Sequence, residues 1–530
     1  MSWRVVVADR LAESGLRILA ESPGIEVVNA AGKKDELTKA LPGAHALVVR
    51  SETRVTADVM AMAPHLRVIA RAGTGVDTID VASATRRGIA VMNAPGANTV
   101  SAAEHAFGLL LALVRHIPPA AEAMRRGEWD RKRFEGTELR GKTMGVIGLG
   151  RIGGHVAHLA RAFGMSVVAH DPFLPDDRAV ELEVKLLPLE QLLRAADVVS
   201  LHVALTDDTH HLINAQRLAL MKPGVMIINT ARGELIDEGA LAAAVQEKRI
   251  GGAAIDVFAT EPLPADSPLR GLDRVILTPH LAASTAEAQE RVAIETATAV
   301  RDALLEGDLS TAINVPGTSG EVLRRLGSLL DLGRRLGRLA AGLVDGPVSV
   351  VEVAYGGKDD AAPKPLQVSA VQGLLGGLGV ESVSMVNALM LAGERGLKVS
   401  LRTSSAETGF ETTVAVALPT SRGEVRVTGA LVGGSHGRVI RIDDFDVDVA
   451  PEGWMLVIRN RDVPGVLGRV GTALGKAGIN IGSYHQARRA RPGDQALAAI
   501  TVDEPPPTTV LDELRKVPDI QEVRLVHYGD

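Results

Sequence analysis

The run GKTMGVIGLGRIGGHVAHLARAFGMSVVAHDP (141–172) leaves few folds open to this chain. An apolar stretch, MGVI, leads into GLGRIG, and a helical pattern follows at once. The glycines at 148, 150 and 153 fit G-x-G-x-x-G in the one context that gives it meaning, strand then turn then helix. Gly148 allows the tight turn, Gly150 lets backbone N–H groups approach a pyrophosphate, and Gly153 lets helix and strand pack closely. Arg151 and Ile152 open the helix, whose N-terminus favours the anion. Asp171 ends the next apolar run, where a carboxylate binds a ribose 2′-OH and repels a 2′-phosphate. The cofactor expected is NAD, not NADP.

The surrounding pattern agrees. WRVVVAD (3–9), HALVVR (45–50), LRVIARAG (66–73) and IAVMNAP (89–95) read as strands, with helical runs such as RLAESGLRILAE (10–21) between them. VVSLHV (198–203), VMIINTA (225–231), GAAIDVF (252–258) and RVILTP (274–279) continue the alternation. Continuous apolar strands separated by helices predict parallel sheets covered on both faces. SAAEHAFGLLLALVRHI (101–117) reads as a long buried helix closed by Pro118 and Pro119, and 287–307 as another helix. With 530 residues, three or four domains are expected. PGTSGE (316–321) reads as a linker, and 322–344 as a Leu/Arg/Gly helix. From 453 the order is β-α-β-β-α-β, a ferredoxin-like unit.

A net charge of −6 and 2 % aromatics offer neither the field nor the stacking platforms that nucleic-acid binding needs. No apolar run approaches the roughly 20 residues that span a bilayer, and the N-terminus lacks a signal-peptide pattern, so a cytoplasmic protein is expected. There is no cysteine, and the 14 histidines show no metal-ligand spacing, so no metal is expected.

Three segments carry the chemistry. TARGELID (230–237) puts Arg232 just past a strand, AIDVFATEPLP (254–264) offers Asp256 and then Glu261, and ILTPHLAAST (276–285) ends a strand with His280. Ligands of doubly wound sheets bind beyond the carboxyl ends of strands. Together an Arg, a Glu and a His suit oxidation of a 2-hydroxy acid. Arg232 grips the carboxylate, His280 takes the hydroxyl proton as hydride leaves, and Glu261 favours the imidazolium. His105, on the apolar helix, reads as a packed side chain, and His202 as a residue shaping the cofactor crevice.

GLGRIG, ARG, DVFATEP and TPHLAAST together resemble the D-isomer-specific 2-hydroxyacid dehydrogenase family, with RAGTGVD (71–77) and SAAEHA (101–106) extending the match from residue 1 to about 315. The resemblance implies that Arg232, Glu261 and His280 are the catalytic trio. It implies that Thr74, Thr230, Ala231, Asp256, Ala282 and Ala283 line the cofactor. It also implies an interrupted architecture. A flavodoxin-like substrate domain (1–97 and 287–315) would hold an inserted Rossmann-type NAD domain (98–286), with the active site between them. The family usually has glycine where this chain has Ala282, which puts cofactor affinity in question.

Arg50 with Ser51, and Arg71 with Gly73, end strands at the presumed cleft, and two guanidinium groups at one rim suit a phosphate. Exposed loop arginines are the competing account. Residues 317–452 resemble the α+β intervening domain of long-form family members, best in VNALMLAGERGLKV (386–399). Residues 453–530 resemble an ACT domain, a small-molecule sensor, with Asn460, Asp462 and Asn480 at effector positions. This combination implies oxidation of 3-phosphoglycerate to 3-phosphohydroxypyruvate, L-serine as effector, and a homo-oligomer, expected as a tetramer. The alternatives are a glycerate or hydroxypyruvate reductase with no phosphate requirement, and a non-catalytic NAD sensor on the same fold.

Overall fold

Short strands made almost wholly of Val, Ile, Ala and Leu must be covered on both faces, and that requirement organises the first half of the chain. The structure, a computed structural model, describes residues 2–315, 320–406, 409–488 and 495–529. Of the segment read as a linker (316–321), residues 316–319 lie outside the described residues.

The N-terminal sheet is parallel. Its order is Ile25–Asn29, Trp3–Val7, Ala46–Val49, Val68–Arg71, Ala90–Asn93, a flavodoxin-like arrangement. The edge strand Ile25–Asn29 was not anticipated, because it is half exposed and lacks the continuous apolar run of its neighbours. Helix Ala286–Glu306 returns from far along the sequence to cover one face, where Ala297, Val300 and Leu304 meet Val5, Val7 and Val48. The segment after that helix stays with this sheet. Asn314 accepts from the Val91 N–H at 2.8 Å and donates to Ile89 O at 2.9 Å.

The second sheet has seven parallel strands. Its order is Val275–Leu277, Gly252–Ile255, Met226–Asn229, Val198–Leu201, Thr143–Ile147, Ser166–His170, Lys185–Leu186. The strand order reverses direction at Thr143–Ile147, and the glycine turn leaves this strand's carboxyl end, at the switch point where such sheets bind nucleotides. Helix Thr99–Val114 leads from one sheet to the other and packs Phe107, Leu110 and Leu113 beneath the second.

The prolines after that helix do not close it. His116 breaks the run in a left-handed conformation (φ 54°), and Pro118 and Pro119 open a new helix, Ile117–Arg125. Proline is tolerated in a first helical turn because the N–H it lacks has no intrahelical partner there. Among the described residues no single helix is long and apolar enough to cross a membrane.

A six-stranded mixed sheet follows, with helices Gly327–Leu343 and Pro363–Gly377 against it. The last unit is an antiparallel sheet in the order Ile481–Arg488, Gln495–Val502, Trp454–Arg461, Ile520–His527. Helices Val466–Lys476 and Thr508–Lys516 cover one face, the ferredoxin-like arrangement. The other face is not free. Met455, Val457, Leu497, Val526 and Tyr528 join Leu336, Leu339 and Phe445 in one cluster, so the last two units share a core. Tyr528 is fully buried, with its hydroxyl 3.5 Å from Met455 Sδ. Removing a buried aromatic of this size costs about 3 kcal/mol or more. Tyr528→Ala is therefore expected to lower the denaturant midpoint of both C-terminal units together. A fall confined to one unit would show that the core is not shared.

Candidate active site

The glycine turn has the geometry its spacing predicts. Gly148 lies at φ 89°, and a Cβ there would sit 2.7 Å from His202 O. A Cβ on Gly153 would come within 2.0 Å of Gly148 O, so helix and strand meet only because both residues are glycine. At Gly150 the space is open, at the first turn of helix Arg151–Ala162. Asp171 holds this turn in place. Its carboxylate accepts from the Leu149 N–H at 2.9 Å and the Phe173 N–H at 3.0 Å. A pyrophosphate therefore fits over the turn, with the acidic residue braced beside it.

Thr230, Arg232, Asp256, Glu261 and His280 follow three adjacent strands that share one direction. Parallel strands about 4.8 Å apart put such residues along one edge. Thr230 Oγ1 is buried with no hydrogen-bond partner, an orphaned hydroxyl that a polar ligand could satisfy. Buried Asn229 shapes the next turn, donating to Arg232 O at 2.8 Å and accepting from the Ala231 N–H at 3.1 Å. Nothing in the sequence marked Asn229, because an Asn ending a strand is a common turn residue.

Arg232 Nε and Nη2 both reach Asp77 Oδ2 at 2.9 Å, an ion pair that spans the two sheets' domains. Gly75 makes room for it, since a Cβ there would collide with Nη2 at 1.8 Å. Burial opposes the charge on Asp77, but Arg232 overcomes it and holds the carboxyl below its ordinary value. Arg71 lies close by with its Nε buried and unpartnered. Burial lowers the pKa of this guanidinium, and repulsion from Arg232 and Arg50 lowers it further. Arg50 is oriented by Asp9, whose buried carboxylate accepts from the Arg50 N–H at 2.5 Å and from Thr53 Oγ1 at 2.5 Å. Ser51 is exposed at this rim. Thr74 donates to Asn98 Oδ1 at 2.8 Å, just ahead of the connecting helix. Three cations with two close carboxylates, Asp77 and Asp9, leave this side of the cleft with an excess of positive charge, a place for an anion.

His280 Nδ1 lies 2.9 Å from Glu261 Oε2 and 3.2 Å from Oε1. With Nδ1–H donating to the carboxylate, Nε2 carries the free lone pair and can accept a proton. Burial works against the Glu261 charge, but His280 and the Phe258 N–H outweigh it, so the carboxyl sits below its ordinary value. His280 takes a left-handed backbone (φ 54°), which costs an L-residue roughly 1–2 kcal/mol. Something must hold it there. Its N–H donates to Asp256 O at 2.8 Å, and the Asp256 carboxylate accepts from Leu281 and Ala282 N–H at 2.8 and 3.0 Å. Ala282 lies outside the positive-φ region, so its methyl group adds no backbone strain. Ala283 O accepts from Gln289 Nε2 at 2.7 Å.

In the last unit the three effector candidates are engaged separately. Asn460 is buried and donates to Arg461 O, Asp462 faces Arg488 at 3.6 Å, and Asn480 donates to Asp503 at 2.7 Å. Among the described residues no hydrogen bond joins the three.

Comparison with known proteins places the chain in a family. The model for the D-isomer specific 2-hydroxyacid dehydrogenase NAD-binding domain matches residues 107–282. The D-3-phosphoglycerate dehydrogenase intervening domain matches 325–443, and the ACT domain 454–519. The D-3-phosphoglycerate dehydrogenase of Synechocystis is 40 % identical over 99 % of this chain and 94 % of its own length. That of Mycobacterium tuberculosis is 42 % identical over 98 % of each. Among solved structures, Aquifex aeolicus D-lactate dehydrogenase with NAD and lactic acid is 32 % identical, with TM-score 0.52. It covers 58 % of this chain and 97 % of its own.

His202 gives a test of the crevice. It ends strand Val198–Leu201 beside Gly148, with Nε2 2.8 Å from Ser200 Oγ. Although part of its surface opens to the crevice, enclosure by protein atoms lowers its pKa from 6.5 to about 4. The unfolded chain protonates this ring below pH 6.5, and the folded one resists until about pH 4. Its contribution is thus intact above pH 6.5 and declines as pH falls toward 4. At pH 5, His202→Asn should take up about one proton fewer on unfolding than the parent. Equal proton uptake, measured by potentiometry in urea, would mean that the ring titrates freely in the fold.

Proposed function

The chain belongs to the D-isomer specific 2-hydroxyacid dehydrogenase family, on its D-3-phosphoglycerate dehydrogenase branch, and from that premise we propose how its cleft works. The enzyme catalyses NAD-dependent oxidation of 3-phospho-D-glycerate to 3-phosphohydroxypyruvate, the first step of L-serine synthesis. The observation that carries the phosphate reading is Arg71. A part-buried guanidinium whose Nε is buried and unpartnered, repelled by Arg232 and Arg50, is relieved by a doubly charged anion.

Gly148–Gly153 receive the pyrophosphate, Asp171 faces the ribose, and Thr230, Ala231, Asp256, Ala282 and Ala283 line the nicotinamide end. When bound, NAD supplies the hydride acceptor. Arg232 exchanges part of its pairing with Asp77 for the substrate carboxylate and draws the carboxylate toward the nucleotide sheet. Arg71 and Arg50, with Ser51, hold the phosphate at the far rim. His280 Nε2 then takes the proton of the 2-hydroxyl, and Glu261 stabilises the imidazolium that results. The left-handed backbone at His280 aims the ring out of its own loop and toward the substrate.

A reductase without phosphate preference would use the same trio but would gain nothing from Arg71. A non-catalytic sensor would need neither Glu261 nor a strained His280. L-Serine as effector at Asn460, Asp462 and Asn480, a homotetramer and a cytoplasmic location complete the proposal. The ACT domain supports the effector reading.

His280→Gln should lower kcat roughly 10²–10⁴-fold, and a variant within twofold of the parent would remove His280 from proton transfer. Replacing Arg50 and Arg71 by alanine removes charged hydrogen bonds worth roughly 1.5–3 kcal/mol each. The KM for 3-phosphohydroxypyruvate should rise at least tenfold and that for hydroxypyruvate much less. Equal effects on both would overturn the phosphate assignment. L-Serine titrated calorimetrically should give heat with the parent and little with Asp462→Ala, whereas equal heats would exclude Asp462 from the site.

A further inference from the structure

Asp256 is fully buried and accepts four hydrogen bonds on its carboxylate. Three donors, Thr278 Oγ1 and the N–H groups of Leu281 and Ala282, belong to the loop that carries His280. They fasten that loop to the end of strand Gly252–Ile255, within the nucleotide sheet, and not to the helix that joins the two domains. The fourth, His105 Nε2 at 3.1 Å, comes from helix Thr99–Val114. One turn earlier on the same helix face, Ser101 Oγ donates to Ala282 O at 2.7 Å in a buried contact. Five residues separate this helix from strand Ala90–Asn93 of the substrate-side sheet, and it runs under the nucleotide sheet. Arg291, on the return helix, donates to Ala97 O at 2.9 Å and braces its start.

We infer that His105 is a positioning residue for the established reaction: with Ser101 it fastens the catalytic loop, through Asp256 and Ala282, to the helix that joins the two domains. His105 touches neither substrate nor cofactor in this role. It acts on where His280 Nε2 stands relative to a substrate held by Arg71 and Arg232 from the other side. The helix sets the distance between the sheets, so the same two bonds tie the proton acceptor to the geometry of the closed cleft. The inference rests on the proposed role of His280, and the test separates the two.

The test compares His105→Leu, which fills the space without a donor, with His105→Gln, whose amide Nε2 reaches the same point and can donate. Both are made in the full chain, and the hydride step is followed by single-turnover NADH absorbance beside steady-state kcat and KM. His105→Leu is expected to slow the single-turnover rate about tenfold or more, as a misplaced acceptor should, with both KM values within about twofold. His105→Gln should recover most of that rate, and adding Ser101→Ala to His105→Leu should slow it further. If the leucine variant does not fold, His105→Asn, whose shorter amide stops short of Asp256, takes its place. Equal rates in the Gln and Leu (or Asn) variants, whether both normal or both impaired, would overturn the proposal, as would a change confined to KM. His280→Gln run in parallel distinguishes the failures. If it is fully active, the reading of His280 itself has failed. If it is dead while both His105 variants are normal, only the positioning role has.

Discussion

Seven strands running in one direction are the constraint on which the dehydrogenase half depends. Parallel pairing sets every carboxyl end on the same edge, so the glycine turn, the Arg232 turn, the Glu261 loop and the His280 loop need no further device to meet. The same pairing makes the strands short, apolar and buried, and each loop is fixed by a polar residue that closes a strand. Asn229 turns its side chain onto the turn that follows it, while Asp256 and Asp171 reach the backbone of turns that follow neighbouring strands, the His280 loop and the glycine turn. A buried polar side chain with all its partners in place specifies one loop conformation and penalises others.

This explains what could be read from the residues alone. The fingerprint was legible because its glycines answer local steric demands, and each of those demands is visible as a Cβ collision or an open space. The Arg, Glu and His were legible because they follow strands. The bracing residues were not. Asp9 looks like the end of a strand, Asn229 like a turn, and His105 like one more side chain on an apolar helix. Their partners lie 41, 2 and 151 positions away, and only the fold shows which of them hold functional backbone. The prolines at 118 and 119 misled for a related reason. Proline marks a boundary, but whether it ends one helix or opens the next depends on the residue before it.

Domain closure depends on a small number of polar contacts. Arg232 pairs with Asp77 across the cleft, yet Arg232 is also the residue proposed above to hold a substrate carboxylate. The pair is partly exposed and worth little in stability, which suits a contact that substrate has to compete with. Arg71 has no such partner for its Nε. The two arginines therefore differ: one is held by an acid that can share it, and the other has a buried Nε with no protein partner, as the proposed phosphate contact requires.

The C-terminal half is coupled to this cleft by packing. The intervening and ACT units share a core through Tyr528, Val526 and Met455, so a shift of one is a shift of the other. The intervening unit in turn packs against the N-terminal sheet. Val386 joins the cluster of Val5, Val48 and Met92, and Asn387 donates to Arg86 O at 3.3 Å. Arg86 pairs with Glu394 at 3.2 Å. The helix that Arg86 ends, Val81–Arg86, precedes strand Ala90–Asn93, and that strand leads directly into the helix bearing Ser101 and His105. A continuous path of packed elements thus runs from the ACT sheet to the loop that carries His280. An effector bound in the last unit can reach His280 only if it favours one arrangement of that path over another, because a ligand that binds both equally shifts nothing.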